Sequence, residues 1–469
     1  MNAVGIVLAL AVAQVAQPAP PAAPAPAAPA RPVLPFTAAL KKAAEQNLDL
    51  KVAQARLDQA RTATAKAWAA YLPQISAGGS YTRNNAGAAI SLPTGFAIRN
   101  CGVAPCPNTP EGLPGGPTPY FMYPTGMISL EIQKVEQWGA QAQLNQVLLS
   151  PSLIAAIRMT YTAVDVASLT VANARRQLLL GVAAAYYGAA AAGEVRAVYE
   201  RQVAVAQIHV DDADVRFKAG ALPRLGVLRA QIDLTKAQRD LERARNTYES
   251  AKLALATLID EPANFDVQTP EGPQVPEAMV RDPKPAQDRP DLAAARASLD
   301  LAEQGRVVTA LKYAPNVAGS AVYRWANVAG FTGENTSWFA MVGLSWTLWD
   351  GGTREAELRE ASAKVVEAKA SLRNTENKAQ EDASRAALDF ESARGNAAKA
   401  DEQVRLAREN QDLVEVSFKN GAATPVEVAD ANAALLGAEI GAVGEHIQSS
   451  IAALRLLTAV GQFPPADLR

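Results

Sequence analysis

Tyr71-Leu72-Pro73-Gln74-Ile75 recurs 242 positions later as Tyr313-Ala314-Pro315-Asn316-Val317, and these two runs lie at the centre of an internal repeat. Around them, residues 49–81 align without a gap with residues 291–323. A second pair of runs, 217–221 and 418–422, lies 201 positions apart. A repeat of this kind predicts two copies of one structural unit, packed side by side. The smaller second offset indicates that the first copy carries an insertion.

The composition excludes several classes of protein. The net charge is −2, with both signs spread along the 469 residues, which argues against a nucleic-acid partner held through its phosphates. The chain has two histidines, His209 and His446, and two cysteines, too few for a His/Cys metal cluster. We therefore expect no cofactor and no metal site. The abundance of Ala and the 6% of aromatic residues favour long, closely packed helices.

The first residues resemble a targeting segment. Residues 1–16 are apolar and include Ala11-Val12-Ala13, which resembles a signal-peptide cleavage site and predicts export. No basic residue precedes the apolar run, so an uncleaved anchor is the alternative. Residues 17–35 alternate Pro and Ala, which is typical of an extended linker. No cysteine precedes Cys101, so a lipid anchor on an N-terminal cysteine is excluded.

Two long stretches have an apolar residue at every seventh position, which indicates coiled-coil packing. From Ile157, the steps reach Val164, Val171, Leu178, Ala185, Ala192, Tyr199, Ala206 and Ala213. From Leu358, they reach Val365, Leu372, Ala379, Ala386, Ala393, Ala400, Ala407 and Val414. Each helix would be roughly 100 Å long at 1.5 Å per residue. Gly220 and Gly421 suit helix C-terminal turns, so we predict helical hairpins over about 152–260 and 353–460.

Strand-like alternation occurs twice in each copy. It predicts strands at about 74–83, 137–148, 316–325 and 337–348, each with one apolar side. Half-buried strands of a globular sheet would show the same pattern. The chain offers no globular core to cover this apolar side, so we predict that lipid covers it. Four strands cannot close a barrel and open edges are not tolerated in lipid, so the strands require other chains; three copies would supply twelve.

The insertion falls at about 84–126 and is rich in Gly and Pro, which predicts a long loop. Cys101 and Cys106 lie within it, and in an exported protein we expect them to form a disulfide. A redox pair and two free thiols are the alternatives. The two structural repeats then span 36–260 and 289–463, joined by a linker at 261–288.

Taken together, these motifs resemble the TolC family of outer-membrane efflux and secretion channels. The resemblance is carried by the two Tyr-x-Pro runs, by Leu348-Trp349-Asp350-Gly351-Gly352 and by the two Phe-Lys-x-Gly turns. It implies an α+β, mainly α fold: a trimeric, 12-stranded transmembrane β-barrel continued by a 12-helix periplasmic α-barrel. It also implies a homotrimer in outer-membrane lipid, a periplasmic adaptor protein and, indirectly, an inner-membrane pump. The tip residues it assigns to adaptor docking are Phe217, Lys218, Gly220, Ala221, Phe418, Lys419, Gly421 and Ala422.

The resemblance also implies acidic residues at the tunnel entrance. The corresponding positions are Glu427 and Asp430, which share one helix face and in three copies would form rings of carboxylates that attract cations. A solvated helix face is the alternative. The family's latch joins Tyr and Arg on the second tip to Thr and Asp on the first. This chain has Phe418, Ala423, Leu225 and Gly226 there, so we expect a weaker latch or one built on Arg224 or Arg229.

We therefore predict a passive outer-membrane exit duct of a tripartite efflux or type I secretion system, located in the outer membrane and extending into the periplasm. The alternative is a periplasmic coiled-coil tether without a channel. The chain carries none of the sequence motifs of the common enzyme classes, and we predict that it is not an enzyme. Drugs, metal ions and secreted polypeptides all remain open as cargo.

Overall fold

The computed structural model describes residues 31–102, 120–329 and 333–465. The helices in these ranges are α1 (Phe36–Gln46), α2 (Leu48–Tyr71), α3 (Pro151–Lys218), α4 (Arg224–Ile259), α5 (Glu277–Arg281), α6 (Pro290–Ala310), α7 (Thr353–Lys419) and α8 (Pro425–Ala459). The strands are β1 (Val33–Leu34), β2 (Gln74–Arg83), β3 (Ala88–Asn100), β4 (Tyr120–Gln133), β5 (Glu136–Leu149), β6 (Asp266–Val267), β7 (Asn316–Ala326) and β8 (Thr336–Ser345). The order helix, strand, strand, long helix, returning helix occurs twice.

Four strands form one antiparallel sheet in the order β2-β5-β7-β8. Its two hairpins come from the two copies, and β5 joins them by pairing with β7. Each strand lies where the period-two alternation predicts one. The exception is the end of the last strand, because β8 stops at Ser345 and residues 346–348 lie beyond it. Within the described residues, β2 and β8 are the two edge strands of the sheet and have no partner on their outer sides.

The segment predicted as a long loop contains an antiparallel hairpin, so that prediction is wrong at residues 88–100 and 120–126, which are strand. Among the described strands, β3 and β4 pair with each other and form a separate two-stranded sheet. Between β2 and β3, Asn84 N–H donates to the Val135 carbonyl at 2.7 Å, which connects this hairpin to the end of the β2–β5 pair. Pro93 and Gly95 coincide with register shifts, which explains why they suggested a loop. Cys101 follows β3, whereas Cys106 lies outside the described residues; their disulfide stays a prediction.

The two segments predicted as linkers also contain regular structure. The predicted leader and most of the 17–35 linker lie outside the described residues. At the end of that linker, β1 pairs in parallel with β6 of the linker between the repeats, which also contains α5. Leu34 is buried, and its carbonyl accepts a hydrogen bond from the Tyr186 hydroxyl at 2.7 Å. The beginning of the first repeat is therefore fixed to the middle of the molecule.

The long helices pack as two antiparallel hairpins, α3 with α4 and α7 with α8, and α8 also contacts α3. The main core lies near the middle of α3, where Tyr186 and Tyr187 are fully buried against α1, α4 and the inter-repeat linker. A second core joins α7 and α8 around Phe390 and Leu456. Of the described helices, α3 is the one long and apolar enough by composition to cross a membrane, but much of its apolar surface is used in this core.

A buried ion cluster fixes the second repeat to the first. Arg289 donates from Nε and Nη2 to the two Asp291 carboxylate oxygens, at 3.1 and 2.7 Å, and from Nη1 to the Ala459 carbonyl at 2.8 Å. Arg176 of α3 lies 3.3 Å from the same carboxylate. Burial alone would raise the pKa of Asp291, but the hydrogen bond from Arg289 and the two guanidinium charges lower it to about 2. The cluster thus joins α3, α6 and the end of α8.

Candidate functional site

The first helical tip, between α3 and α4, is a glycine-terminated turn. Gly220 has a φ of 74°, and its N–H donates to the Phe217 carbonyl at 3.0 Å. Ala221 N–H donates to the Arg216 carbonyl at 2.9 Å. This pair of bonds is the Schellman motif, which satisfies the last carbonyls of a helix and requires a left-handed residue, most often glycine. Pro223 then precedes α4. Phe217 is 42% exposed at the tip.

The second tip, between α7 and α8, has the same backbone geometry. Gly421 has a φ of 77°, its N–H donates to the Phe418 carbonyl, and Ala422 N–H donates to the Ser417 carbonyl. A capping box follows: Glu427 N–H donates to Thr424 Oγ1 at 3.3 Å, and Glu427 Oε2 accepts from Thr424 N–H at 2.6 Å. The box satisfies two free donors at the beginning of α8, so the tip is well defined.

Arg216 and Phe418 connect the two tips within one chain. The Arg216 guanidinium carbon lies 5.1 Å from the centroid of the Phe418 ring, a cation–π contact. Asp212, one turn earlier on α3, forms an ion pair with the same guanidinium, with 2.9 Å between Asp212 Oδ2 and Arg216 Nε. No sequence pattern predicts this contact, because Arg216 and Phe418 are 202 positions apart and neither is one of the apolar residues that recur at every seventh position.

The latch positions expected from the family do not form a polar latch within this chain. Leu225 is exposed, Gly226 lies against the Leu222 side chain, and Ala423 carries no polar group. The Phe418 ring instead forms the cation–π contact with the Arg216 guanidinium. Arg224 and Arg229, on which the sequence suggested that a different latch could be built, form no ion pair with any residue in the described ranges.

Glu427 and Asp430 both lie on the first turns of α8 and are exposed. The hydrogen bonds from the Thr424 backbone and hydroxyl lower the pKa of Glu427, so its carboxylate stays ionised well below neutral pH. Asp430 forms no ion pair with a described residue. The two charges are therefore available to solvent or to a mobile ion, one helical turn from the tip.

Other polar contacts join α8 to its neighbours above the tip. Glu439 is 17% exposed and accepts from Arg201 of α3 at 3.0 Å and from Arg408 of α7 at 2.8 Å. His209 Nε2 lies 3.4 Å from the Asn432 amide, and His446 Nε2 lies 2.7 Å from Asp401 Oδ1. Both histidines lie on helix faces. In the part of the chain that the structure describes, no group of three acidic, His or Cys side chains could hold a metal ion.

One side of the four-stranded sheet is apolar and carries aromatic residues near its loop end. Tyr81 pairs with Trp138, with ring centroids 4.6 Å apart, and Tyr323 pairs with Trp338. The register places the following residues on this side: Ile75, Ala77, Gly79, Tyr81, Trp138, Ala140, Ala142, Leu144, Val317, Ala321, Tyr323, Trp325, Trp338, Ala340, Val342 and Leu344. Trp338 and Ile75 are each 76% exposed, so no segment that the structure describes covers them.

The other side of the sheet is mostly polar. It carries Gln74, Ser76, Ser80, Thr82, Gln137, Gln141, Gln143, Asn145, Asn316, Ser320, Arg324, Ser337 and Ser345, together with the apolar Val147, Ala318, Val322, Phe339 and Met341. A strand about ten residues long, apolar on one side and polar on the other, is typical of a transmembrane barrel whose outer surface meets lipid and whose inner surface meets water. The long helices begin directly beyond this sheet.

Comparison with known proteins assigns the family. The sequence profile described as "Outer membrane efflux protein" matches residues 39–260 and 284–462, most of the chain. Among curated proteins the sequence has no significant match.

Solved structures show the same fold at low sequence identity. The outer membrane protein VceC of Vibrio cholerae is 17% identical, with a TM-score of 0.69 over 91% of this chain and 96% of its own. A membrane protein of Pseudomonas aeruginosa is 18% identical, with a TM-score of 0.70 over 94% of this chain and 99% of its own. The CmeC outer membrane channel of Campylobacter jejuni is 14% identical, with a TM-score of 0.68 over 91% of this chain and 85% of its own.

The resemblance to the TolC family is thereby confirmed, and with it the general class of function. Members of this family are outer-membrane conduits for efflux and not enzymes. The amphipathic sheet, the paired long helices and the family match over both copies agree: the chain belongs to the outer membrane efflux protein family.

Proposed function

We propose that three copies of this chain form a duct that crosses the outer membrane and extends through the periplasm. The sheets together would close a twelve-stranded barrel, and the helical hairpins would continue it as a tunnel of about 100 Å. The duct is passive, and an inner-membrane pump drives cargo into it through a periplasmic adaptor. The cargo enters at the helical tips and leaves through the barrel.

The observation that carries this proposal is the exposed apolar side of the sheet. Trp338, Val342 and Leu344 of β8 are each more than 65% exposed. Burial of a large apolar side chain is favourable by about 1.5–3 kcal/mol, so this exposure is costly in water. β8 and β2 are also unpaired along their outer edges. Lipid would cover the apolar side, and pairing of β8 with β2 of the next copy would satisfy both edges.

The tips would form the periplasmic entrance. Phe217 and its neighbours at the first tip, and the corresponding turn at the second, are exposed and held by identical backbone motifs. Two similar turns in each of three chains would give an adaptor six repeated docking positions. Glu427 and Asp430 would add carboxylates close to the opening, where they raise the local concentration of cations.

The experiment is extraction of the full-length protein from outer membranes, followed by planar-bilayer recording. A trimer that resists dissociation by detergent until heated, together with single-channel currents, is the expected result. The assembly itself can be tested with one cysteine on β2 and one on β8, starting from Ala77→Cys with Ala340→Cys and moving one cysteine along its strand in steps of two residues. A disulfide between neighbouring copies should form at one register. A soluble, elongated particle without channel activity would overturn the proposal and favour the coiled-coil tether.

A further inference from the structure

The polar side of the sheet contains one apolar patch with a single cation beside it. Val322 on β7 lies directly opposite Phe339 on β8, and Met341 follows two residues later on the same side. Arg324 lies two residues after Val322, opposite Ser337 and diagonal to Phe339. Side chains at direct and diagonal positions of this kind are within reach of one another when one is aromatic or long.

These residues depart from the rest of that side. Apart from Gly78, Gly139 and Val147, the residues of β2 and β5 on this side are Ser, Thr, Gln and Asn, as expected for a surface in contact with water. Phe339 and Met341 are 51% and 57% exposed, so they are not needed to fill a core. An alternating strand that needed only to meet water and lipid would carry polar residues at both positions.

The charge of the patch selects one sign of ligand. Arg324 is the one charged residue that the four strands place on this side of the sheet, and it is exposed. It forms no ion pair with any residue in the described ranges. Arg83 and Glu136, the charged residues at the end of β2 and the start of β5, are register partners on the opposite, apolar side of the sheet.

We propose that Val322, Phe339, Met341 and Arg324 form a binding patch in the barrel lumen for aromatic organic anions. The aromatic ring of the ligand packs against Phe339 and Met341, and its acidic group binds the Arg324 guanidinium. The patch would occur three times around the lumen, at the exit end of the duct. This assignment rests on the proposed function, since it takes the polar side of the sheet as the lumen.

The carboxylates of the entrance act at the other end of the molecule. Glu427 and Asp430 lie at the tip of α8, and α7, with 67 residues, separates that tip from β8. At physiological salt, charges act over about 8 Å, so the two ends are electrostatically independent. A cation preference at the entrance and an anion site at the exit are therefore compatible.

The proposal can be tested by measuring how strongly small charged molecules block the single-channel current of the full-length trimer. 2-Naphthalenesulfonate, added on the side where the barrel opens, is the probe. 2-Naphthylmethylammonium has the same ring with the opposite charge, and methanesulfonate has the anion without the ring. The wild type should be blocked by the naphthalenesulfonate at the lowest concentration of the three.

Two substitutions separate the contributions of charge and ring. Arg324→Ser should weaken naphthalenesulfonate block about five-fold and leave block by the cation no weaker than before. Phe339→Ser should weaken naphthalenesulfonate block by about two- to ten-fold, whereas Phe339→Trp should preserve it. Arg83→Ser makes the same charge change near the same end but on the apolar side, and it should leave the block unchanged.

The outcomes distinguish the two proposals. Equal block by the three probes, or block that survives both Arg324→Ser and Phe339→Ser in conducting trimers, would overturn the binding patch and leave the duct standing. A wild-type protein that forms no conducting trimer would overturn the duct and the patch together.

Discussion

The guanidinium of Arg216, at the end of α3, lies over the ring of Phe418, at the end of α7, with 5.1 Å between the guanidinium carbon and the ring centroid. The pair joins the two helical tips of one chain at the position where the family's latch has polar partners. A guanidinium over an aromatic ring depends on the ring as well as on the charge, so each partner can be tested separately.

We expect Arg216→Ala and Phe418→Ala each to make the entrance open more easily. An exposed cation–π contact contributes about 0.5–1 kcal/mol, so the open fraction should rise about two- to five-fold per chain. Open probability of single channels measures this directly.

Phe418→Tyr retains the ring and should behave as the wild type. Arg224→Ala removes a nearby charge that has no ion-pair partner among the described residues, and it should also leave the open probability unchanged. Equal effects of Arg224→Ala and Arg216→Ala would mean that net charge at the tip, and not the ring contact, controls opening.

Asp291 should make the folded helical region sensitive to acid. Its pKa is about 2 when folded, below the ordinary value of 3.8, so the folded state is favoured by the ionised carboxylate. This contribution, about 2 kcal/mol, is present above pH 4 and is lost as the pH falls from about 4 to 2. Asp291→Asn should remove that part of the pH dependence. It should also lower the free energy of unfolding at neutral pH by about 3–5 kcal/mol, because Arg176 and Arg289 lose their partner.

Thermal unfolding of the detergent-solubilised protein, followed by circular dichroism from pH 2 to 7, measures both effects. Asp300→Asn is the matched control, because Asp300 lies on the same helix, is exposed and has only a Gln304 contact. An Asp291→Asn protein that loses stability between pH 4 and 2 as steeply as the wild type would contradict the assignment.

Removal of the entrance carboxylates should reduce the preference for cations. Asp430→Asn and Glu427→Gln are the appropriate changes, since Gln at this position of a capping box still accepts the hydrogen bonds of Thr424. We expect the reversal potential in a salt gradient to move toward anions and block by trivalent cations to weaken.

Thr424→Ala controls for the structure of this tip. It removes the cap, at a cost of about 1 kcal/mol, without changing the charge. The acidic-ring hypothesis fails if Thr424→Ala alters ion selectivity as much as Asp430→Asn does.

Adjacent residues of β5 should respond oppositely to the same substitution. Ala142→Arg places a charge on the apolar side of the sheet and should cost about 2–4 kcal/mol per chain near the middle of the membrane, so that little trimer assembles. Gln143→Arg places it on the polar side, opposite the uncharged Ser76 and Val322, and should assemble normally. The amount of heat-dissociable trimer in outer membranes measures the difference, and equal tolerance of both would contradict the lipid assignment.

The β3–β4 hairpin should be dispensable for assembly. Its strands pair only with each other, so replacing residues 86–133 with a short turn leaves the hydrogen bonds of β2 with β5 in place. We expect the shortened protein to form trimers in outer membranes with unchanged thermal stability. Failure to assemble would show that the hairpin contributes to contacts between copies.

The sequence predicted best where one pattern covered many residues. The seven-residue period extends along most of α3 and α7, and the alternation extends along most of β2 and β5. A helix or strand that is apolar on one side repeats its apolar residues with its own structural period, whichever elements it contacts. The β3–β4 hairpin was missed since Pro93 and Gly95 interrupt its alternation, and these residues normally indicate loops. The short pairing of β1 with β6 was missed because two residues are too few for any period.

Contacts at the candidate site were less predictable. The capping box of Thr424 and Glu427 is local and could have been read from its spacing. The contact of Arg216 with Phe418, in contrast, depends on the relative height of two helices, and a one-turn difference in either would separate the partners. No sequence pattern indicated that Glu439, which is largely buried, accepts hydrogen bonds from two helices at once.

The length of α3 has a mechanical consequence. Its main buried cluster lies near residues 179–190. The stretch from there to Lys218, about 40 Å at 1.5 Å per residue, has four buried residues: Val198, Ala206, Val210 and Ala213. A tilt of this stretch of α3 by about 5° would displace the tip by about 4 Å, which is enough to break a contact between a guanidinium and an aromatic ring. If the tips form the entrance of the proposed duct, a small tilt of α3 would separate them without a large rearrangement of the core, and a contact as weak as that of Arg216 with Phe418 would matter for closure.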